Sequence, residues 1–288
     1  MKYQTFSIVA GTAACNASCP YCISKMTGQA IQSTNINWIN FDKSCRFAQI
    51  HNITNVIITG KGEPTLYPEQ ISDYLRHLKP YNFPIVELQT NAILFEKEYE
   101  KYDRYLSEWY KLGLTFISIS IVDYRASKNK QVYLADRSSY INLEKLIGRL
   151  HQYGYSVRLS CTLVKGYIDS LPRIKQMIAT ARKWQAEHLT LRLVAAPKVS
   201  ANPAVKEWTE KHTLDKTQVN IISGFLETEG HRLVTFDYGG AVYDYKNQNV
   251  CFTNALTLKP NSEDVRQIIF FPDGHLRFDW QYQGAILF

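Results

Sequence analysis

The sequence predicts an α/β fold in which a parallel sheet is covered by helices and followed by a smaller α+β extension. Three observations carry this. Short β-branched segments alternate with amphipathic ones through six strand–helix steps between Phe6 and Val194. No linker or low-complexity tract interrupts that rhythm. After Pro197 it changes to one or two helices and then short strand-like pieces. The expected division is a core over 1–198 and an extension over 199–288 that caps one end of the sheet.

Phe6–Ala10 reads as the first strand. Phe41–Ile50 is a helix, with Phe41, Cys45 and Ala48 on one face. Asn55–Thr59 is the second strand, and Pro68 opens a helix that aligns Ile71, Leu75 and Leu78. Ile85–Thr90 is the third strand, followed by one long helix from about Phe95 to Leu112 with Gly113 as its cap. Phe116–Val122 is the fourth strand, and the polar, basic stretch Tyr124–Ser139 reads as a loop at its end. A helix over Tyr140–Tyr153, a strand over Val157–Val164, a helix over Pro172–Trp184 and a strand over His188–Val194 complete the core. In the extension, Pro203–Glu229 is helical. Leu233–Phe236, Ala241–Tyr245 and Val250–Thr253 are strand-like, and Pro272-Asp273-Gly274 turns a hairpin within Ile268–Trp280.

A chain of 288 residues with 45% hydrophobic content can bury a substantial core. Its longest apolar runs are far too short to span a bilayer, and its start has no signal-peptide core, so a cytoplasmic protein is expected. The net charge of +7 is spread without a long basic run; it favours an anionic substrate or a nucleic acid, and many plain enzymes share it. In a reducing compartment, clustered cysteines read as metal-binding or reactive rather than as disulfides.

Three of the six cysteines are clustered, in Cys15-Asn16-Ala17-Ser18-Cys19-Pro20-Tyr21-Cys22, directly after the first strand. Three soft thiolates on one loop suit an iron–sulfur centre and leave one metal position open to another ligand. A zinc site completed by a distant His or by Cys251 is the plainer alternative. Thr59-Gly60-Lys61-Gly62-Glu63-Pro64 follows the second strand. Its glycines allow close backbone approach, and its carboxylate can accept from an ammonium. By alternation Glu87, Gln89 and Asn91 share a face of the third strand, Ser118 and Ser120 one of the fourth, and Arg158, Ser160 and Thr162 one of the fifth. Such polar stripes suit the inner wall of a ligand cavity. Arg192 is placed similarly on the sixth strand, with a surface position as the alternative. Cys45 and Cys161 read as core thiols, whereas Cys251, alone in the extension, is open between core and function.

Together the cysteine loop and the Gly-Glu-Pro loop, in this order, resemble the signature of the radical S-adenosylmethionine (SAM) superfamily, over roughly residues 4–195. The resemblance implies an open (β/α)6 partial TIM barrel with its site at the C-terminal ends of the strands. It implies a [4Fe–4S] cluster on Cys15, Cys19 and Cys22, whose fourth iron is chelated by SAM. It places Tyr21, Gly60, Lys61, Gly62, Glu63, Asn91, Ser118, Ser120, Arg158 and Ser160 around SAM, with Arg158 matching a basic position that can neutralise its carboxylate. The expected activity is cleavage of SAM to a 5′-deoxyadenosyl radical that takes hydrogen from a small, nucleotide or peptide substrate. A reductant such as flavodoxin or ferredoxin is implied. Glu87, Gln89, Arg125, Arg137 and Arg192 are the substrate-side candidates. Because Cys251 is the only cysteine after the barrel, one cluster is expected, without the auxiliary clusters of SPASM or twitch extensions. The competing reading is a non-enzymatic cytosolic Fe–S or zinc protein that binds RNA and uses the cysteine loop structurally.

Overall fold

The computed structural model describes residues 2–28, 35–134, 140–254 and 263–288. Within them the core strands are β2 (Phe6–Val9), β3 (Asn55–Thr59), β4 (Ile85–Thr90), β5 (Phe116–Ile121), β6 (Ser156–Leu163) and β7 (His188–Leu193), after a short β1 (Lys2–Tyr3). These six core strands run parallel and pair in chain order. The helices between them are α1 (Ile23–Thr27), α2 (Trp38–Ile50), α3 (Pro68–Leu78), α4 (Ile93–Lys97), α5 (Tyr99–Lys111), α6 (Ala126–Tyr133), α7 (Leu143–Gln152) and α8 (Leu171–Lys183). The extension supplies α9 (Pro203–His212), α10 (Lys216–Glu229), β8 (His231–Thr235), β9 (Ala241–Tyr245), β10 (Gln248–Asn254), β11 (Asp264–Val265), β12 (Ile268–Phe270) and β13 (Leu276–Arg277).

Residues after 198 add strands to both edges of one sheet, whose order is β13-β12-β2-β3-β4-β5-β6-β7-β10-β9-β8. Strand β10 runs parallel to β7 and β12 parallel to β2, while β9 and β13 turn back antiparallel outside them. The sheet does not close on itself, so the barrel is open. Among the described residues no helix is long and apolar enough to cross a membrane.

One face of each core strand packs on the helices. Ile8, Ile58, Leu88, Ile117 and Val157 lie opposite one another in register and are fully buried in that layer. The other face is polar. Gln89, Ser118, Arg158, His188 and Asn249 form one row across it. A β-strand alternates its side chains, so an apolar outer set leaves the inner set free for chemistry.

Two sequence expectations are corrected here. The helix after β4 is broken at Glu98, which leaves helical geometry between α4 and α5. The stretch expected as a loop over Tyr124–Ser139 contains α6, whose buried face is Asn129, Val132 and Tyr133. Asn129 accepts the Val122 N–H at 2.9 Å and donates to the Asp123 carbonyl at 2.6 Å, so its polar side chain does the anchoring that an apolar one does elsewhere. Arg137 lies outside the described residues.

Candidate active site

The cysteine loop leaves the C-terminal end of β2 and is fastened at four points. Gly11 adopts a positive φ of 73° and donates its N–H to Gln70 at 2.5 Å. Thr12 Oγ1 lies 2.6 Å from the Tyr67 hydroxyl. The Ala14 carbonyl accepts the Glu63 N–H at 2.9 Å, and Ser18 donates its N–H to the Tyr133 carbonyl at 3.0 Å. Cys22 ends the loop as the first residue before α1. Cys15 is exposed, while Cys19 and Cys22 are half-buried. Burial pushes the Cys19 thiol far up, and the Cys22 and Cys15 sulfurs add to the shift.

Among the described residues no three His, Cys, Asp or Glu side chains converge tightly enough for a single metal ion. The soft, three-thiolate donor set on one loop fits a [4Fe–4S] cluster.

The second loop is built to lie on the first. A Cβ on Gly62 would stand 1.9 Å from the Ala14 carbonyl oxygen, and one on Gly60 would stand 2.9 Å from that of Ala10. Both obstacles are backbone, so only glycine allows this approach. Glu63 is 3% exposed, and both of its carboxylate oxygens accept hydrogen bonds. Oε1 accepts from the Thr65 N–H at 3.0 Å, the Thr65 hydroxyl at 2.7 Å and the Thr90 hydroxyl at 2.5 Å. Oε2 accepts the Asn91 N–H at 2.9 Å. Burial raises the Glu63 pKa, and these hydrogen bonds oppose the rise. Lys61 is buried too and donates to Thr27 Oγ1 at 2.8 Å and to the Trp280 carbonyl at 3.1 Å. Desolvation lowers its pKa to about 8. Lys61 thus joins the second loop to the end of α1 and to the C-terminal segment.

Asn91 closes the arrangement: its Nδ2 donates to Asn16 Oδ1 at 2.7 Å, and its Oδ1 accepts the Ile93 N–H at 3.0 Å. Tyr21 meets the Tyr133 hydroxyl at 3.1 Å and packs near Trp208 of α9. Deeper in the barrel, Arg158 Nη1 lies 2.6 Å from Glu87 Oε2, and Gln89 donates to Glu87 Oε1 at 3.0 Å. Glu87 is 0% exposed. Ser118 and Ser160 are buried on the inner face, and the half-buried Ser120 stands opposite Ser160 in register. Arg125 lies apart from this group, with Nε and Nη2 on the Asp123 carboxylate at 2.8 and 2.6 Å. Sequence reasoning missed Asn16 and Tyr133, which hold the cysteine loop. Asn16 was legible as a polar residue inside the motif, but nothing in the sequence marks Tyr133.

This constellation of a three-thiolate loop, a glycine loop seated on it and a polar barrel interior defines an enzyme that mounts an iron–sulfur cofactor at the strand ends of an open α/β barrel. Residues 9–178 match the family model of the radical SAM superfamily, and the chain belongs to that superfamily. Its members use a [4Fe–4S] cluster and S-adenosylmethionine. Family membership replaces the non-enzymatic reading of the cysteine loop. No curated protein matches the chain in sequence. Among solved structures, methylornithine synthase superposes with a TM-score of 0.55 at 11% identity, covering 90% of this chain and 74% of that one. A maturase of the [FeFe]-hydrogenase gives 0.53 at 11% identity, covering 75% and 47%. A radical SAM methyltransferase from Sphaerobacter thermophilus gives 0.49 at 19% identity, covering 71% and 62%. At these identities the first two likenesses concern the fold.

Proposed function

We propose that this chain is a single-cluster radical SAM enzyme acting on a small, nucleotide or peptide substrate, with Cys15, Cys19 and Cys22 as the cluster ligands. The observation that carries this reading is the contact of Gly62 with Ala14, which seats the glycine loop against the cysteine loop. When bound, the reduced cluster and SAM supply a 5′-deoxyadenosyl radical. The protein's part is to bind, orient and exclude water.

In this reading the main chain of Gly60–Gly62 presents carbonyls toward the SAM ammonium. Glu63 is then a positioning residue, because its oxygens are taken by Thr65, Thr90 and Asn91. Asn91 and Tyr21 hold the cysteine loop beside that cradle. Ser118, Ser120 and Ser160 line the space below it. Arg158 serves the interior through its pair with Glu87. Residues 1–198 form the catalytic core and 199–288 complete the edges around it. A flavodoxin- or ferredoxin-type reductant in the cytoplasm is the matching electron source.

The test is anaerobic reconstitution followed by dithionite reduction with SAM. The expected results are about four irons per chain, formation of 5′-deoxyadenosine, and loss of both in Cys19→Ala. More than about four irons would end the single-cluster reading. A loaded cluster that neither cleaves SAM nor changes its electron paramagnetic resonance signal on SAM addition would end the enzymatic one.

A further inference from the structure

The inner faces of β6, β7 and β10 carry three rows in register. Arg158, His188 and Asn249 form the first, Ser160, Thr190 and Cys251 the second, and Thr162, Arg192 and Thr253 the third. Arg266, just before β12, comes to this wall from the opposite edge of the open sheet. Its guanidinium lies 4.3 Å from the ring centre of Tyr238, in the turn between β8 and β9. Three guanidiniums therefore share one interior region with one carboxylate, Glu87, and Glu87 is taken up by Arg158 at 2.6 Å.

Among the described residues Arg192 and Arg266 have no such counterion, since no Asp or Glu lies within ion-pair distance of either. The Nε of Arg192 is buried without a hydrogen-bond partner. Buried polar groups are normally satisfied, and buried charges are normally paired. His188, opposite Arg158, is held toward the neutral form by burial and the Arg158 charge, and so adds no further cation to this wall.

We propose that Arg192 and Arg266, flanked by Tyr238 and Cys251, form an oxyanion-binding subsite that holds a carboxylate or phosphate group of the substrate inside the barrel. Guanidinium forks match both groups with paired N–H donors. The two cations come from strands far apart in the sheet order, Arg192 from β7 and Arg266 from the approach to β12. Burial and mutual repulsion lower the pKa of Arg192, and burial lowers that of Arg266, which is the strain an anion relieves. Calling the ligand a substrate rests on the radical SAM reading; the anion site itself does not.

The test uses the full-length, cluster-loaded chain under anaerobic conditions at fixed ionic strength. Inorganic phosphate, malonate and the uncharged malonamide are titrated by calorimetry, and SAM is titrated separately. Binding of malonate or of phosphate, with none of malonamide, is expected, and whichever anion binds identifies the group. Arg192→Met and Arg266→Gln should each weaken that binding about 10-fold or more, the range of one lost charged hydrogen-bond pair, and leave SAM affinity unchanged. In the unmutated protein the same anion should slow alkylation of Cys251, read by mass spectrometry, which keeps the test independent of variant folding. The proposal falls if neither anion binds at millimolar concentration or Cys251 is unprotected. It falls equally if the variants bind as well as the parent, or if SAM affinity drops in parallel. Absence of 5′-deoxyadenosine from the parent protein would overturn the radical SAM reading and leave the anion result standing.

Discussion

Glu63 accepts the main-chain N–H of Asn91 at 2.9 Å, so a carboxylate in the loop after β3 holds the end of β4. The same side chain caps the 3₁₀ turn Pro64–Leu66 through the Thr65 N–H. Because Asn91 in turn bonds Asn16, the geometry of the cysteine loop depends on a residue one strand away.

Glu63→Ala should therefore destabilise the cluster-free protein by about 3 kcal/mol. Two buried main-chain N–H groups, on Thr65 and Asn91, lose their acceptor at about 1–3 kcal/mol each. Glu63→Gln keeps an acceptor for Oε1 but turns an amide N–H₂ toward the Asn91 N–H, and should fall between. Urea unfolding measures both. A loss below about 1 kcal/mol for the alanine variant would mean that this carboxylate is not holding the loops.

Gly62→Ala places a methyl against the Ala14 carbonyl, which belongs to the cysteine loop. The expected outcome is loss of most of the iron and sulfide taken up on reconstitution, with far-ultraviolet circular dichroism unchanged. Gly148→Ala is the control: this glycine is exposed in α7, nothing lies near its added Cβ, and alanine should stabilise by about 1 kcal/mol. Full cluster loading of the Gly62 variant would show that the two loops do not need this contact.

The strands around these loops were legible because each is a short β-branched run with turn residues on either side; Ile85–Thr90 and Ala241–Tyr245 coincide with the sequence reading. Helix α6 was hidden because its anchoring residue is Asn129, which reads as polar surface. The parallel pairing of β10 with β7 was hidden for a different reason. Non-local pairing is decided by tertiary packing, and local pattern carries no record of the partner. The cations Arg192 and Arg266 share a region although β7 and β12 are far apart in the sheet order, which no spacing along the chain expresses.

Arg125 offers a test of how the segment after β5 is held. Its fork grips both oxygens of Asp123, which is 0% exposed, and its own N–H donates to Asp123 Oδ1 at 2.9 Å. Arg125→Ala should cost about 1–2 kcal/mol, below the value for a fully buried pair because the arginine is partly solvated. Adding Asp123→Asn should recover part of that loss, since the stranded charge is removed. Additive losses in urea unfolding would show that the two side chains do not act as a pair.

His188 should give the protein an acid-sensitive component of stability. Its Nδ1 lies 3.2 Å from Asn249 Oδ1 on the neighbouring strand. Burial, and then the Arg158 charge, hold its pKa below the ordinary 6.5, against smaller opposing effects of Asn249, Glu187 and Glu87. The unfolded chain therefore binds more protons than the native one as pH falls through 6.5 and below. The sign follows directly: stability contributed by neutral His188 is present above pH 6.5 and is lost on acidification. His188→Gln keeps a polar group on the strand but has no proton to take up. Urea unfolding of the cluster-free protein at intervals from about pH 7.5 to 5 should show the parent losing more stability than this variant. Parallel curves would mean that the imidazole titrates alike in both states, and that the inner wall at β7 is wetter than its packing implies.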